Sequence, residues 1–455
     1  MKIFLAAAIA LFSLYPVLAQ TTDAALRRVT DSDKATRDAS GKLPTQSAAE
    51  HLSRAETYMA NRLFPQAREH WAIVLSNYPT DAGIPKALFG TARSYMWERE
   101  YAKAVEWFDK LTNDYLMTKD GREGLSFKGA SYVRMGKNLE AVKAYEQYTV
   151  MFPQGERIES AHLNIIDAYR EAGKYDDANR WVDKSVQQFS GKPTEVNALQ
   201  ARLRMEIFRG NWNAAVAAAD RLLTEKNFAG SMASADEIKY LKAVALDKAG
   251  KRAEADTAYS AISPSRSSYY YGLASDKQRT SNVRSTVQTS AADYGNYPIL
   301  FRDTLLQHSR SKKIDPRFVL AIMKQESSFK AGAKSPAGAR GLLQLVYDTA
   351  LKYSKKSNNP NLQPDDLYSP ATNIAIGTEY IRVLKDEFGG LYEGIAASYN
   401  GGEDNALRWL QRSKPREAGI FAAEIGFAES KSYVFKVMNN YRIYRDLYTE
   451  DLVRR

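Results

Sequence analysis

The sequence predicts an all-α protein: a superhelical array of helix pairs followed by a separate helical domain. Three observations carry this. Apolar and small residues recur every 37 residues from about Ser47 onward. From Tyr297 that lattice is gone, and short helical stretches alternate with glycine-bearing loops. Paired helix start and stop signals frame those stretches, with Asp315-Pro316 and Ser369-Pro370 as starts and Gly389-Gly390 as a stop.

The first element is an export signal. Lys2 precedes an apolar run from Ile3 to Leu14, and Val17-Leu18-Ala19 supplies small residues for cleavage after Ala19. The run is shorter than the ~20 residues a membrane span needs. Residues 20–46 are polar without apolar periodicity and read as a flexible leader. The expected compartment is the periplasm or outer envelope space, with at most peripheral membrane association.

The array occupies 47–274. Tyr58, Tyr95, Tyr132 and Tyr169 are each 37 apart, as are Ala67, Ala104, Ala141, Ala178 and Ala215. Phe64, Tyr101, Tyr175 and Trp212 share a further column, broken by Asn138. Trp71, Phe108 and Tyr145 form another. In the second unit one helix carries Leu88, Ala92 and Tyr95, a turn follows at Glu98-Arg99-Glu100, and the next helix carries Tyr101, Ala104, Val105 and Phe108. Small alanines let two helices approach, and the aromatics fill the space beside them. This pattern resembles the tetratricopeptide class, whose usual period is about 34, and it implies a stacked superhelix. The columns read as core; a protein partner docking on the array stays open. Residues 275–296, rich in Ser, Thr, Arg and Gln, read as a linker.

The domain at 297–455 carries the chemistry. Asp315 is an N-cap, Pro316 opens the helix, and Val319, Ile322 and Met323 form its apolar stripe. The next place on that stripe is Glu326. A carboxyl on a core-facing stripe is costly to ionise, so burial raises its pKa, which suits a general acid. The loop after it contains Ser335 and Gln344, two neutral hydrogen-bonding groups. A later helix ends at Ser398-Tyr399-Asn400-Gly401-Gly402, and the last one carries Tyr433, Val434, Val437, Met438 and Tyr441.

Composition narrows the chemistry further. The 455 residues contain no cysteine, which excludes disulfides, thiolate metal sites and thiol nucleophiles. The four histidines, His51, His70, His162 and His308, show no metal-ligand spacing. A formal charge of +11 suits an anionic polymer, but no basic run carries a nucleic-acid recognition motif, so no nucleic-acid partner is expected.

Five motifs in order give residues 297–455 their identity. They are Gln325-Glu326-Ser327-Ser328-Phe329, the run Ser335-Pro336 through Gly341-Leu342 to Gln344, Asn373-Ile374 with Gly377 and Tyr380, Ser398 to Gly402, and Ile425 to Val434. Together they resemble the lytic transglycosylase catalytic domain, a lysozyme-like helical fold of glycoside hydrolase family 23. The array and the Tyr270-Tyr271-Gly272-Leu273-Ala274 segment extend that resemblance to the mature chain.

The resemblance implies cleavage of the β-1,4 bond between N-acetylmuramic acid and N-acetylglucosamine in peptidoglycan, with Glu326 as the single acid and then base. It implies substrate-binding roles for Ser335, Gln344, Tyr399, Asn400 and Tyr433, and it calls for no metal and no cofactor. Two departures stand out. Leu345 is followed by Val346-Tyr347 where the family has Met-Pro. Gly426-Phe427-Ala428-Glu429-Ser430-Lys431 replaces Pro-Phe-x-Glu-Thr-Arg, and lysine lacks arginine's bidentate fork. Two other readings compete: a hydrolytic muramidase on the same fold, and a non-catalytic envelope scaffold that binds glycan.

Overall fold

The computed structural model describes residues 15–279 and 291–455. These form helices joined by turns and loops, with only isolated bridges such as Arg340 to Leu345 and Tyr448 to Arg454 outside them. Helix α1 spans Tyr15–Thr36. The repeat pairs follow as α2 (Ala48–Ala60) with α3 (Phe64–Asn77), α4 (Ile84–Trp97) with α5 (Tyr101–Tyr115), and α6 (Lys119–Arg134) with α7 (Asn138–Met151). They continue as α8 (Ile158–Glu171) with α9 (Tyr175–Gln188), α10 (Pro193–Arg209) with α11 (Trp212–Glu225), and α12 (Ala235–Lys248) with α13 (Arg252–Ser260). Then come α14 (Tyr269–Arg279), α15 (Ala291–Asn296), α16 (Arg302–Ser311), α17 (Pro316–Ser327) and α18 (Tyr347–Ser354). The chain finishes with α19 (Pro370–Glu387), α20 (Tyr392–Gly401), α21 (Glu403–Arg412), α22 (Ala418–Glu424) and α23 (Ala428–Leu447).

Contacts divide the chain into two compact units that cut across the expected boundaries. One holds residues up to 155 together with 330–376; the other holds 156–329 with 377–455. Each unit therefore combines part of the repeat region with part of the C-terminal domain, because tertiary packing follows space rather than chain order.

The repeat lattice has a clear physical basis. Ala67, Ala104, Ala141, Ala178 and Ala215 are all fully buried where helices pack. Trp71, Phe108 and Tyr145 are buried beside them. The tyrosine column is less uniform: Tyr58 is buried, whereas Tyr95, Tyr132 and Tyr169 are half-buried. A further column lies in the backbone. Arg62, Arg99, Gly136, Gly173 and Gly210 follow the first helix of successive pairs with φ of 61°, 64°, 71°, 70° and 75°. This left-handed residue ends the helix and turns the chain back, and glycine adopts it without the cost a β-carbon imposes.

Two expectations need correction. The leader at 20–46 is helical as far as Thr36. Asp33 explains why: it is buried and accepts from the Tyr58 hydroxyl at 2.6 Å and from His70 Nε2 at 3.0 Å, and it pairs with Arg54. His70 Nδ1 meets His51 Nδ1 at 2.9 Å, and the Gln46 amide donates to His51 Nε2 at 3.2 Å. Burial pushes the Asp33 carboxyl up, but hydrogen bonds from Tyr58, His70 and Arg54 outweigh it and hold the group below its ordinary value. The linker expected at 275–296 is helical at both ends, where α14 finishes and α15 lies; residues 280–290 fall outside the described residues. So does the expected export signal, apart from 15–19, which open α1.

Candidate active site

The candidate acid sits at the end of a helix that is pinned at its start. The Asp315 carboxylate caps α17 by accepting from the Arg317 amide at 2.9 Å. The Arg317 guanidinium closes on the same carboxylate at 2.6 Å, and the Tyr441 hydroxyl of α23 donates to it at 2.9 Å. Phe318 to Met323 are all fully buried, so the helix is enclosed on every side rather than along the single stripe its sequence suggests. Ser328 and Phe329, with φ of 49° and 65°, stop the helix just after Glu326.

Glu326 is half-buried, and its carboxyl faces tyrosines. The Tyr433 hydroxyl of α23 donates to Oε1 at 2.6 Å. Desolvation pushes the carboxyl up to about 7, while the Tyr433 hydrogen bond pulls it down. Burial, reinforced by the Glu326 charge, raises Tyr433 and Tyr399 well above their ordinary values, so both phenols keep their protons. Tyr399 of α20 lies with its ring 5.4 Å from that of Tyr380 in α19. Asn400 is exposed, and its side-chain oxygen accepts from the Ser430 hydroxyl at 2.6 Å. Glu326, Tyr399, Asn400 and Tyr433 therefore share one unit. A carboxyl raised into this range can give a proton and take one back near neutral pH.

Ser335 and Gln344 belong to the other unit, where they build their own loop. The Ser335 hydroxyl accepts from the Ala339 amide at 3.1 Å. Gln344, at φ 45°, donates its side-chain amide to Ala333 O at 3.0 Å and Gly341 O at 2.8 Å. Both N–H bonds of that amide are spent on loop carbonyls, leaving Oε1 as its acceptor. Asn373, fully buried on α19, ties the loop down: its Oδ1 accepts from the Leu343 amide at 2.8 Å, and its Nδ2 donates to Leu367 O and Arg340 O at 2.8 and 3.0 Å. Gly341 must be glycine, since its φ is 78° and a β-carbon would lie 2.1 Å from Leu367 O. The loop also meets the first repeat, where Lys334 Nζ reaches Asn61 Oδ1 at 3.3 Å. Just beyond the loop, Arg62 forks onto Asp348 with two contacts of 2.7 Å.

Sequence reasoning quoted Asn373 within a motif without giving it this role. It flagged Lys431 but not its partner, nor the charged cluster that holds α22. Glu424 at the end of α22 is fully buried among Arg170 (2.8 Å), Arg204 (2.9 Å) and Arg412 (3.2 Å). Arg412 also reaches Asp167 at 2.8 Å. Lys431 of α23 pairs with Glu237 of α12 at 2.6 Å, both buried. Partners so far apart along the chain leave no local signal. Among the described residues no group of three or more metal-ligating side chains is assembled, and no helix is long and apolar enough to cross a membrane.

Fold and site together describe a helical domain whose Glu326 carboxyl is raised to about 7, preceded by helix-pair repeats. Comparison with known proteins agrees. Residues 303–421 match the family model of the transglycosylase SLT domain, and residues 52–114 and 128–193 match a tetratricopeptide repeat model. The chain thus carries an SLT catalytic domain with a tetratricopeptide-like region.

Among individual proteins, a soluble lytic murein transglycosylase of Salmonella typhimurium is 33% identical over 168 residues, covering 36% of this chain and 26% of that one. The corresponding Escherichia coli protein is 32% identical over the same length and shares. The matched stretch thus spans about a quarter of each relative (26%). Among solved structures, an inactive Glu-to-Gln mutant of lytic transglycosylase Slt from Pseudomonas aeruginosa superposes with a TM-score of 0.51 and 16% identity, over 94% of this chain and 86% of that one. A 70-kDa soluble lytic transglycosylase in complex with bulgecin A gives 0.51 and 18%, over 96% and 87%. At these identities the two structures speak for the fold alone.

Proposed function

We propose that the chain is an exported peptidoglycan lytic transglycosylase that cuts the β-1,4 bond between N-acetylmuramic acid and N-acetylglucosamine. The observation that carries this reading is Glu326: a carboxyl raised to about 7 and held by the Tyr433 hydroxyl, within the SLT-matched stretch. As the acid, Glu326 protonates the leaving glycosidic oxygen. The substrate's 2-acetamido group stabilises the positive charge that develops at the anomeric carbon. Glu326, now a carboxylate, removes the proton of the muramic acid 6-hydroxyl, which attacks the anomeric carbon and closes a 1,6-anhydro ring. An internal nucleophile has a high effective concentration and outcompetes water. Tyr433 holds the carboxylate through its 2.6 Å bond. Tyr399 and Asn400 are assigned to binding the sugar; the resemblance gives Ser335 and Gln344, on their own loop, a substrate-binding role as well. The compartment proposed is the periplasm, where the polymer lies.

The test is digestion of purified peptidoglycan sacculi followed by mass spectrometry of the fragments. The reading expects 1,6-anhydro-muramic ends and a loss of at least ~10²-fold in Glu326→Gln, the low end for a lost acid–base group. Reducing muramic ends without the anhydro form would establish the hydrolytic muramidase instead. An inactive wild type that still binds sacculi would favour the scaffold.

A further inference from the structure

Helix α23 has two working faces. Ser430, Tyr433, Val437, Tyr441 and Tyr444, at offsets 0, 3, 7, 11 and 14, turn toward the site: Ser430 meets Asn400, Tyr433 meets Glu326, and Tyr441 meets the Asp315 cap of α17. Lys431, Phe435, Met438 and Arg442, at offsets 0, 4, 7 and 11, turn toward the repeats. Phe435 stacks on Tyr269 with ring centres 4.7 Å apart. Phe435 and Met438 pack against a core cluster built from α10 to α14 and α22. Arg442 lies across Gly272, where a β-carbon would collide with its guanidinium at 1.7 Å. The apolar contacts of Phe435 and Met438 are non-directional, and the bonds of Arg442 to Ser268 O and Tyr269 O are long, at 3.5 and 3.4 Å, so these contacts let a helix shift slightly. The Lys431–Glu237 pair does not, because it joins two buried charges at 2.6 Å, and Glu237 is also held by the Gln200 amide.

We propose that Glu237, on repeat helix α12, is a positioning residue for the reaction: through Lys431 it sets the register of α23, and thereby the placement of the Tyr433 hydroxyl on Glu326. The repeat region is then part of the catalytic apparatus rather than a tethered accessory. The inference rests on the reading of Glu326 as the acid. Within this unit the ionisable groups that face Glu326 are the phenols of Tyr433 on α23 and Tyr399 on α20. Loosening Tyr433 removes a hydrogen bond that favours the carboxylate, so the Glu326 pKa rises.

The test uses the full chain acting on sacculi. Glu237→Gln is expected to lower kcat about 10-fold with little change in KM; a misplacement of an ångström can cost up to about 10²-fold. The alkaline limb of the pH–rate profile is expected to move up by about 0.5–1 pH unit. Because a lone buried Lys431 also destabilises the fold, a second variant combines Glu237→Gln with Lys431→Met. It restores thermal stability, and the inference expects kcat to stay low and the limb to stay raised. Exchanging the charges, Glu237→Lys with Lys431→Glu, is expected to recover both. A Gln–Met double variant with wild-type kcat and a wild-type alkaline limb would overturn the inference and leave the pair as a stabilising contact only. Failure of the underlying reading looks different: Glu326→Gln would then retain full activity on the same sacculi.

Discussion

The Tyr433–Glu326 hydrogen bond can be tested through its effect on proton affinity. Tyr433→Phe removes the hydroxyl and leaves the ring that packs α23 in place. The bond is 2.6 Å long and donated to a carboxyl held up near 7 by desolvation. A hydrogen bond to a charged group is worth about 1.5–3 kcal/mol, which is about 1–2 pKa units. The sign follows from which form the bond favours. Tyr433 donates to the carboxylate, so losing it disfavours the charged form and raises the pKa. A general acid must be protonated, so activity in the wild type falls as pH rises through about 7. In the variant that limb is expected to move up by about 1–2 units. Its low-pH plateau is expected to fall, because the carboxyl is no longer held in place. The assay is the initial rate of sacculi clearing across pH 5–10, with a stability check at each pH. A limb that stays in place, or moves down, would refute the assignment of Tyr433 as the group that tunes Glu326.

Three further outcomes are expected. Glu424→Gln leaves Arg170, Arg204 and Arg412 without their shared carboxylate; breaking such a buried cluster costs about 3–5 kcal/mol, visible as a lower urea midpoint, whereas a change under ~0.5 kcal/mol would show the cluster to be unimportant. Gly341→Ala forces a β-carbon against Leu367 O at φ 78° and is expected to cost more than about 1–2 kcal/mol and to make the 330–346 loop sensitive to protease; an unaltered digestion pattern would contradict this. Arg99→Gly removes the left-handed strain that Gly136, Gly173 and Gly210 avoid at equivalent turns, and is expected to stabilise the chain by about 0.5–1 kcal/mol in urea unfolding; a lower midpoint would mean that the Arg99 side chain contributes more than the strain it imposes.

Much of the fold was legible because it is written locally. The alanine column announces helix crossings, and every member is buried. Asp315, Pro316 and the stripe ending at Glu326 delimit α17 to within a residue. The polar composition of the leader gives no sign of its helix, because the burial of Asp33 depends on Tyr58, Arg54 and His70 from the first repeat. The resemblance implies a substrate-binding role for Tyr433, whereas its position along the chain gives no sign of the hydrogen bond its hydroxyl makes to Glu326. Lys431 sits where the resemblance leads one to expect arginine, and it makes one short ion pair rather than a fork.

The sequence alone determined the helical class, the repeat period, the identity of the candidate acid and the reaction class its motifs resemble. These rest on periodicity, capping and short-range motifs, all of which are properties of neighbouring residues. Only the tertiary structure decided that the compact units cut across the array and the C-terminal domain, that desolvation lifts Glu326 to about 7, and that α23 meets Glu237 on one face and brings Tyr433 to Glu326 on the other. Desolvation and ion pairing depend on what lies within a few ångströms in space, and residues distant along the chain supply it.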